Sequence, residues 1–109
     1  MSKLFKIIVH AEQGNADAVR QAIGDVGGGK TGNYIHCSFT YEGIGRSLPQ
    51  EGANPTIGQV GKLEAIPEQS IEVICEEEVT PQVIAAIKKV HSYDQPIIEV
   101  YALSDMSVF

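Results

Sequence analysis

The apolar period of this chain switches repeatedly between two and about 3.6 residues, and that succession restricts its fold more than any other feature. Lys3 to His10 carries Phe5, Ile7 and Val9 on one side and Leu4, Ile8 and His10 on the other, which predicts a central strand. Asn15 to Val26 places Ala16, Val19, Ala22, Ile23 and Val26 on a helical stripe, with Asn15 as the expected N-cap and Gly27 as the stop. Asn33 to Glu42 alternates again, Ile35, Cys37, Phe39 and Tyr41 against Tyr34, His36, Ser38 and Thr40, and predicts a second strand. Gly43 to Gly61 is rich in Gly and Pro and is expected to form a long ordered loop. Strand character resumes from Lys62 to Glu77, interrupted by Pro67. Thr80-Pro81 opens a second helix, with Thr80 expected as N-cap, a buried stripe of Val83, Ile84, Ile87 and Val90, and Lys88, Lys89 and His91 at its negative end. A last strand follows from Ile97 to Leu103, and Ser104 to Phe109 is expected to fray.

The order β-α-β-β-α-β predicts an α+β, ferredoxin-like fold, a four-stranded antiparallel sheet with both helices on one face. In it the first strand lies between the third and fourth, and the second pairs with the third. The 109 residues suffice for one such domain spanning 1–109. Phase assigns Phe5, Ile7, Val9, Ile35, Cys37, Phe39, Ile71, Val73, Cys75, Ile98 and Val100 to the helix side. The other side then carries Leu4, Ile8, Ile74, Ile97, Tyr101 and Leu103 beside Lys6, His36, Glu72 and Glu99. So much apolar surface on an open sheet predicts that self-association covers it.

Charge and cysteine usage narrow the functional classes. Eight Lys plus Arg against 14 Asp plus Glu give a formal charge of -6, which argues against nucleic acid or an anionic membrane surface as the main partner. No apolar run approaches the ~20 residues of a membrane span, and the N-terminus lacks a secretion-signal pattern, so a cytoplasmic location is expected. Cys37 and Cys75 are too few for a disulfide scaffold and are expected to be buried free thiols.

Several motifs invite chemistry. Gly24-Asp25-Val26-Gly27-Gly28-Gly29-Lys30-Thr31 matches the phosphate-loop pattern G-x-x-x-x-G-K-[ST] letter for letter. That chemistry needs a strand before the loop and a helix after it, whereas here the order is reversed. The glycines more simply release the chain from its helix. Two segments do not reduce to folding needs, the Gly43–Gly61 loop and His91-Ser92-Tyr93-Asp94-Gln95-Pro96. The topology brings His91 and Tyr93 toward His10 and Glu42 at the base of the loop, where His, Tyr and carboxylate groups can bind a small molecule or a cation. Alternatively His91 caps its helix and Tyr93 packs. No Ser/His/Asp, Cys/His or paired-carboxylate arrangement assembles for catalysis.

The succession Gly32-Asn33-Tyr34-Ile35-His36-Cys37-Ser38-Phe39, Glu42-Gly43-Ile44-Gly45, Glu51 through Glu64, and His91 to Pro96 resembles the insertion domain of the Nif-three-like (YqfO) proteins, many of them named as GTP cyclohydrolase homologues. That domain is similar in fold to the PII signalling and CutA divalent-ion-tolerance proteins, so the resemblance implies the βαββαβ fold and a homotrimer. Ser92 and Asp94-Gln95 depart from the Pro and paired Glu usual in the CutA turn. The family's dinuclear metal site is built by the halves that flank the insertion, so no metal ligand or catalytic residue carries over. The expected function is a non-enzymatic, PII/CutA-like oligomeric module binding a small ligand or a protein partner, without a cofactor. Its expected ligand-binding residues are Glu42, Glu51, Asn54, His91 and Tyr93. The alternative is a CutA-type divalent metal ion held by His10, His36 or His91, and a third is a small enzyme with a site between subunits.

Overall fold

A computed structural model describes residues 3–109. Its elements are β1 (Leu4–Glu12), α1 (Gln13–Asp25), β2 (Phe39–Ser47), β3 (Glu64–Glu76), α2 (Thr80–Val90) and β4 (Ile98–Ala102), followed by a 3-10 turn at Met106–Val108 where fraying was expected. The strands form one antiparallel sheet in the order β2-β3-β1-β4, with β1 central as the pattern predicts. Ile7, Val9 and Ala11 of β1 and Ile71, Val73 and Cys75 of β3 share the face on which Ala16, Val19 and Ile23 of α1 and Val83 and Ile87 of α2 pack. None of these side chains is more than 3% exposed, so they make up the core. Among the described residues no helix is long and apolar enough to cross a membrane.

Both helices start differently from expectation. β1 runs directly into α1, and the Glu12 carboxylate accepts the Gly14 N–H at 2.8 Å, taking the capping role assigned to Asn15. Asn15, now inside the helix, has its side chain free for tertiary use. At α2 the N-cap is Val79, and the Thr80 hydroxyl donates to the Glu76 carbonyl at 2.9 Å. The glycine segment after α1 closes the helix as anticipated. Gly28 N–H donates to Ile23 O, and Gly29, at φ +78°, donates to Ile74 O of β3. A Cβ on Gly29 would lie 2.2 Å from the Cys37 carbonyl, so only glycine permits this crossing.

The second strand is the main correction. It begins at Phe39 and extends to Ser47, so residues 33–38 lie outside the sheet and 43–47 belong to the strand. Only 48–63 remains as loop. His36 sits at φ +59° against Gly24, a conformation no strand residue adopts. Register pairs Thr40 with Ile71, which sends Thr40 to the helix side and Phe39 and Tyr41 to the open face, the reverse of the expected phase. Arg20 of α1 meets Thr40 and Gln69 there. Ile35 and Phe39 are therefore exposed, Cys37 is only half-buried, and Val100, on the edge strand, is exposed as well. Pro67 is tolerated because it lies just beyond Glu68, the last β3 residue paired with β1.

The one-sided core sets a clear contrast. Ile7→Ala is expected to lower unfolding free energy by about 2–5 kcal/mol in urea titrations, whereas Met106→Ala is expected to stay within about 0.5 kcal/mol. Cys75, whose thiol pKa burial raises, should resist a thiol reagent until denaturant is added.

Candidate functional site

The two segments with no evident folding role meet at one end of the sheet. The Asn54 N–H donates to Asp94 Oδ2 at 3.2 Å, and the Thr56 hydroxyl donates to the Ser92 carbonyl. The 48–63 loop is thereby strapped over the His91–Pro96 turn. Beneath the strap lies a cavity of about 400 Å³. Its floor is the open face of the sheet, with His10, Gly45, Ile66 and Glu68, and its walls come from Leu48, Pro55, Ile57, Ile97 and the Tyr93–Gln95 turn.

The turn is held by a clamp that begins with the displaced Asn15. Its Nδ2 donates to the Val90 carbonyl at 3.1 Å, and its Oδ1 accepts the Ser92 N–H at 2.9 Å. One amide thus satisfies a terminal carbonyl of α2 and fixes the backbone on either side of His91. His91 is 8% exposed, and its ring lies 2.7 Å from the His10 carbonyl through Nε2. A carbonyl only accepts, so Nε2 carries the proton, and Nδ1 accepts the Tyr93 N–H at 3.1 Å. Both ring nitrogens are occupied within the fold.

Tyr93 reaches across to β3, and its hydroxyl donates to Glu68 Oε2 at 2.7 Å. Burial first, and then the bond to Glu68, push the phenol pKa well above its usual range, with Glu12 adding to the effect. The other carboxylate oxygen, Glu68 Oε1, sits over Gly45, where a Cβ would lie only 2.1 Å from it. Glycine at 45 is what allows the carboxylate to rest there.

The expected site residues distribute unevenly. Tyr93 and His10 line the cavity, and His91 supports it from behind. Asn54 contributes its backbone N–H. Glu42 is exposed and paired in register with Gln69 on the helix side of β2, and Glu51 is exposed in the loop. The carboxylate that meets Tyr93 is Glu68, which the sequence reading missed; its one visible signal is its phase with Ser70 and Glu72 on the open face. His10, His36 and His91 do not converge on one point. His36 lies beside Gly24 and Asp25 at the end of α1, whereas His91 is anchored near Asn15, about 13 Å back along that helix. Among the described residues no group of three His, Cys, Asp or Glu is placed to hold a metal ion.

No protein-family model matches the chain. A Halalkalibacterium halodurans protein named GTP cyclohydrolase 1 type 2 homolog is 40% identical over 102 residues, covering 94% of this chain and 27% of the relative. Its Mycobacterium tuberculosis namesake is 36% identical over 100 residues, covering 92% and 26%. The chain thus spans about a quarter of the length of the curated relatives it matches. A Bacillus cereus protein related to NIF3 superposes with a TM-score of 0.83 at 36% identity, over 95% of this chain and 26% of that one. The divalent cation tolerance protein CutA from Archaeoglobus fulgidus has a TM-score of 0.65 at 17% identity, over 94% and 85%. The Bacillus subtilis GlnK-ATP complex has a TM-score of 0.65 at 18% identity, over 95% and 85%. The last two likenesses show the fold.

The Tyr93–Glu68 bond is open to direct test. Tyr93→Phe is expected to cost about 1–3 kcal/mol in urea titrations at neutral pH. Because the folded phenol pKa is raised, its stabilisation is complete below the ordinary tyrosine value of about 10 and is lost as pH rises beyond it. The wild type should therefore lose stability above that pH more steeply than Tyr93→Phe.

Proposed function

Because the chain belongs to the NIF3/YqfO family, matching one domain of its members, we propose that it is a non-enzymatic, PII/CutA-like module that binds a small ligand under the 48–63 strap and self-associates through its open sheet face. The observation that carries the binding reading is the cavity itself. Its volume falls in the range of small-molecule sites, and it combines apolar walls with a few convergent polar groups. A strap tied to the turn by two exposed hydrogen bonds can open locally to admit a ligand. The same surface suits a protein partner if the strap, rather than the cavity, makes the contact. A bound cofactor is not needed for either role.

The self-association reading rests on exposed apolar area. Leu4, Phe39, Tyr41, Ile74, Ile97 and Tyr101 all lie on the open face and are each at least 40% exposed. Lys6 and Glu72, 3.0 Å apart, are the ion pair within this face. A trimer is the assembly that the PII/CutA resemblance implies, with the apolar faces of the copies turned inward.

Native mass spectrometry of micromolar protein is expected to give a trimer, and Phe39→Glu with Tyr101→Glu to give monomers that remain folded by circular dichroism. A clean wild-type monomer would sink the assembly claim. In a thermal-shift screen, a ligand at about 100 times its Kd should add roughly 2.7 kcal/mol of stability. A broad screen with no stabilising compound would count against the binding reading.

A further inference from the structure

We infer that the cavity takes an organic cation, an alkylammonium-type head at the Glu68 carboxylate with an apolar body against the surrounding walls. The inference rests on the small-ligand reading above and names the class of ligand. Its first support is an uncompensated carboxylate at the floor. The ion pairs among the described residues are Lys6–Glu72, Arg20–Asp17 and His36–Asp25, and none includes Glu68. Glu68 Oε2 is bonded to the Tyr93 hydroxyl, while Oε1 rests over Gly45 with lone pairs to spare. Asp94 is a second acidic group on the lining, whereas Glu12, opposite Glu68 in β1, is not on it and has its carboxylate on the Gly14 N–H. Two acidic groups on one half-closed space favour a cation there.

The second support is a buried hydroxyl without a partner on the same face. Ser70 follows Glu68 by two residues in β3 and pairs in register with His10, another floor residue. It is 8% exposed, and its Oγ has no hydrogen-bond partner. Buried hydroxyls are rarely left unpaired, and this one, two residues from Glu68 though not itself on the cavity lining, leaves a hydrogen-bonding position open beside the floor.

Two alternatives fit less well. Arg46 also borders the cavity and could suggest an anion, but strand alternation turns its side chain to the opposite face from Gly45, Ile66 and Glu68, and no ion pair among the described residues joins it to Glu68. A bare metal ion is disfavoured because no set of three ligating side chains converges among the described residues, and because Leu48, Pro55, Ile57, Ile66 and Ile97 make the space apolar and far larger than an ion. An ammonium group on a hydrocarbon body uses both the carboxylate and the walls.

A matched probe set separates charge from shape. Hexylammonium, hexanol and hexanoate share one apolar body and differ in the head. Titrated into the full chain and followed by the backbone amide resonances of Gly45 and Tyr93, hexylammonium is expected to bind most tightly and hexanoate least. In Glu68→Gln, which keeps an acceptor for the Tyr93 hydroxyl, hexylammonium affinity should fall at least tenfold. Gly45→Ala, whose methyl group displaces the carboxylate, should show the same loss while the protein stays folded. If hexanoate binds best, or the three bind alike, the cation assignment is overturned while the cavity reading stands. If none of the three moves these resonances, the cation assignment is likewise overturned, and the broad screen decides separately whether the cavity binds anything else.

Discussion

Everything in this structure depends on the alternation within β1. Ile7, Val9 and Ala11 are fully buried on one side, and Leu4, Lys6, Ile8 and His10 point to the other. As β1 pairs with both β3 and β4, its phase is imposed on its neighbours residue by residue, and a slip of one position would exchange the two faces of the whole sheet. The helices cover the β1 and β3 part of one face, and the exposed apolar residues of the other follow from the same alternation. Core and exposed apolar surface are therefore two consequences of one pattern.

The end of β1 is also where the fold becomes specific. Glu12 closes the strand and caps α1 in one residue, leaving Asn15 free to bridge Val90 and Ser92. His91, with both nitrogens bonded inside the fold, joins the turn after α2 to the backbone of His10. Leaving either partner of such a buried pair unsatisfied is costly, so the turn is held firmly. Tyr93 is aimed by that turn at Glu68, and the strap rests on the same turn through Asp94 and Ser92. The candidate site is thus assembled from segments far apart in the chain, on a rigid base with a lightly held cover.

How much of this was legible beforehand depended on burial. The central strands and both helices were readable because Ile7, Val9, Ile71, Val73, Val19, Ile23, Val83 and Ile87 must be hidden, and hidden residues show their period. β2 was not readable in phase. It is an edge strand, its helix side is met by the long Arg20 side chain, and its other side carries Phe39 and Tyr41 in the open. With no face fully buried, Asn33 to Glu42 alternates as convincingly as the true strand. The sharp turn at His36 and the close approach of Gly29 to Cys37 are set by tertiary contacts. The convergence of the loop with the His91–Pro96 turn could be argued from topology, whereas the choice of Glu68 over Glu42 could not. It depends on a register between β2 and β3 that local sequence does not encode.

The position of the cavity joins the two halves of the proposed function. Its floor residues His10, Ile66 and Glu68 lie on the open face, the same face whose apolar residues favour assembly. If copies associate there, the mouth of the cavity is withdrawn from bulk water. Contacts between a bound charge and Glu68 then act through a lower effective dielectric and are screened less by salt. A ligand that binds the assembled form better must, by linkage, favour assembly to the same degree. The coupling needs no moving domain. It would follow from placing an uncompensated carboxylate at the edge of the surface proposed for assembly.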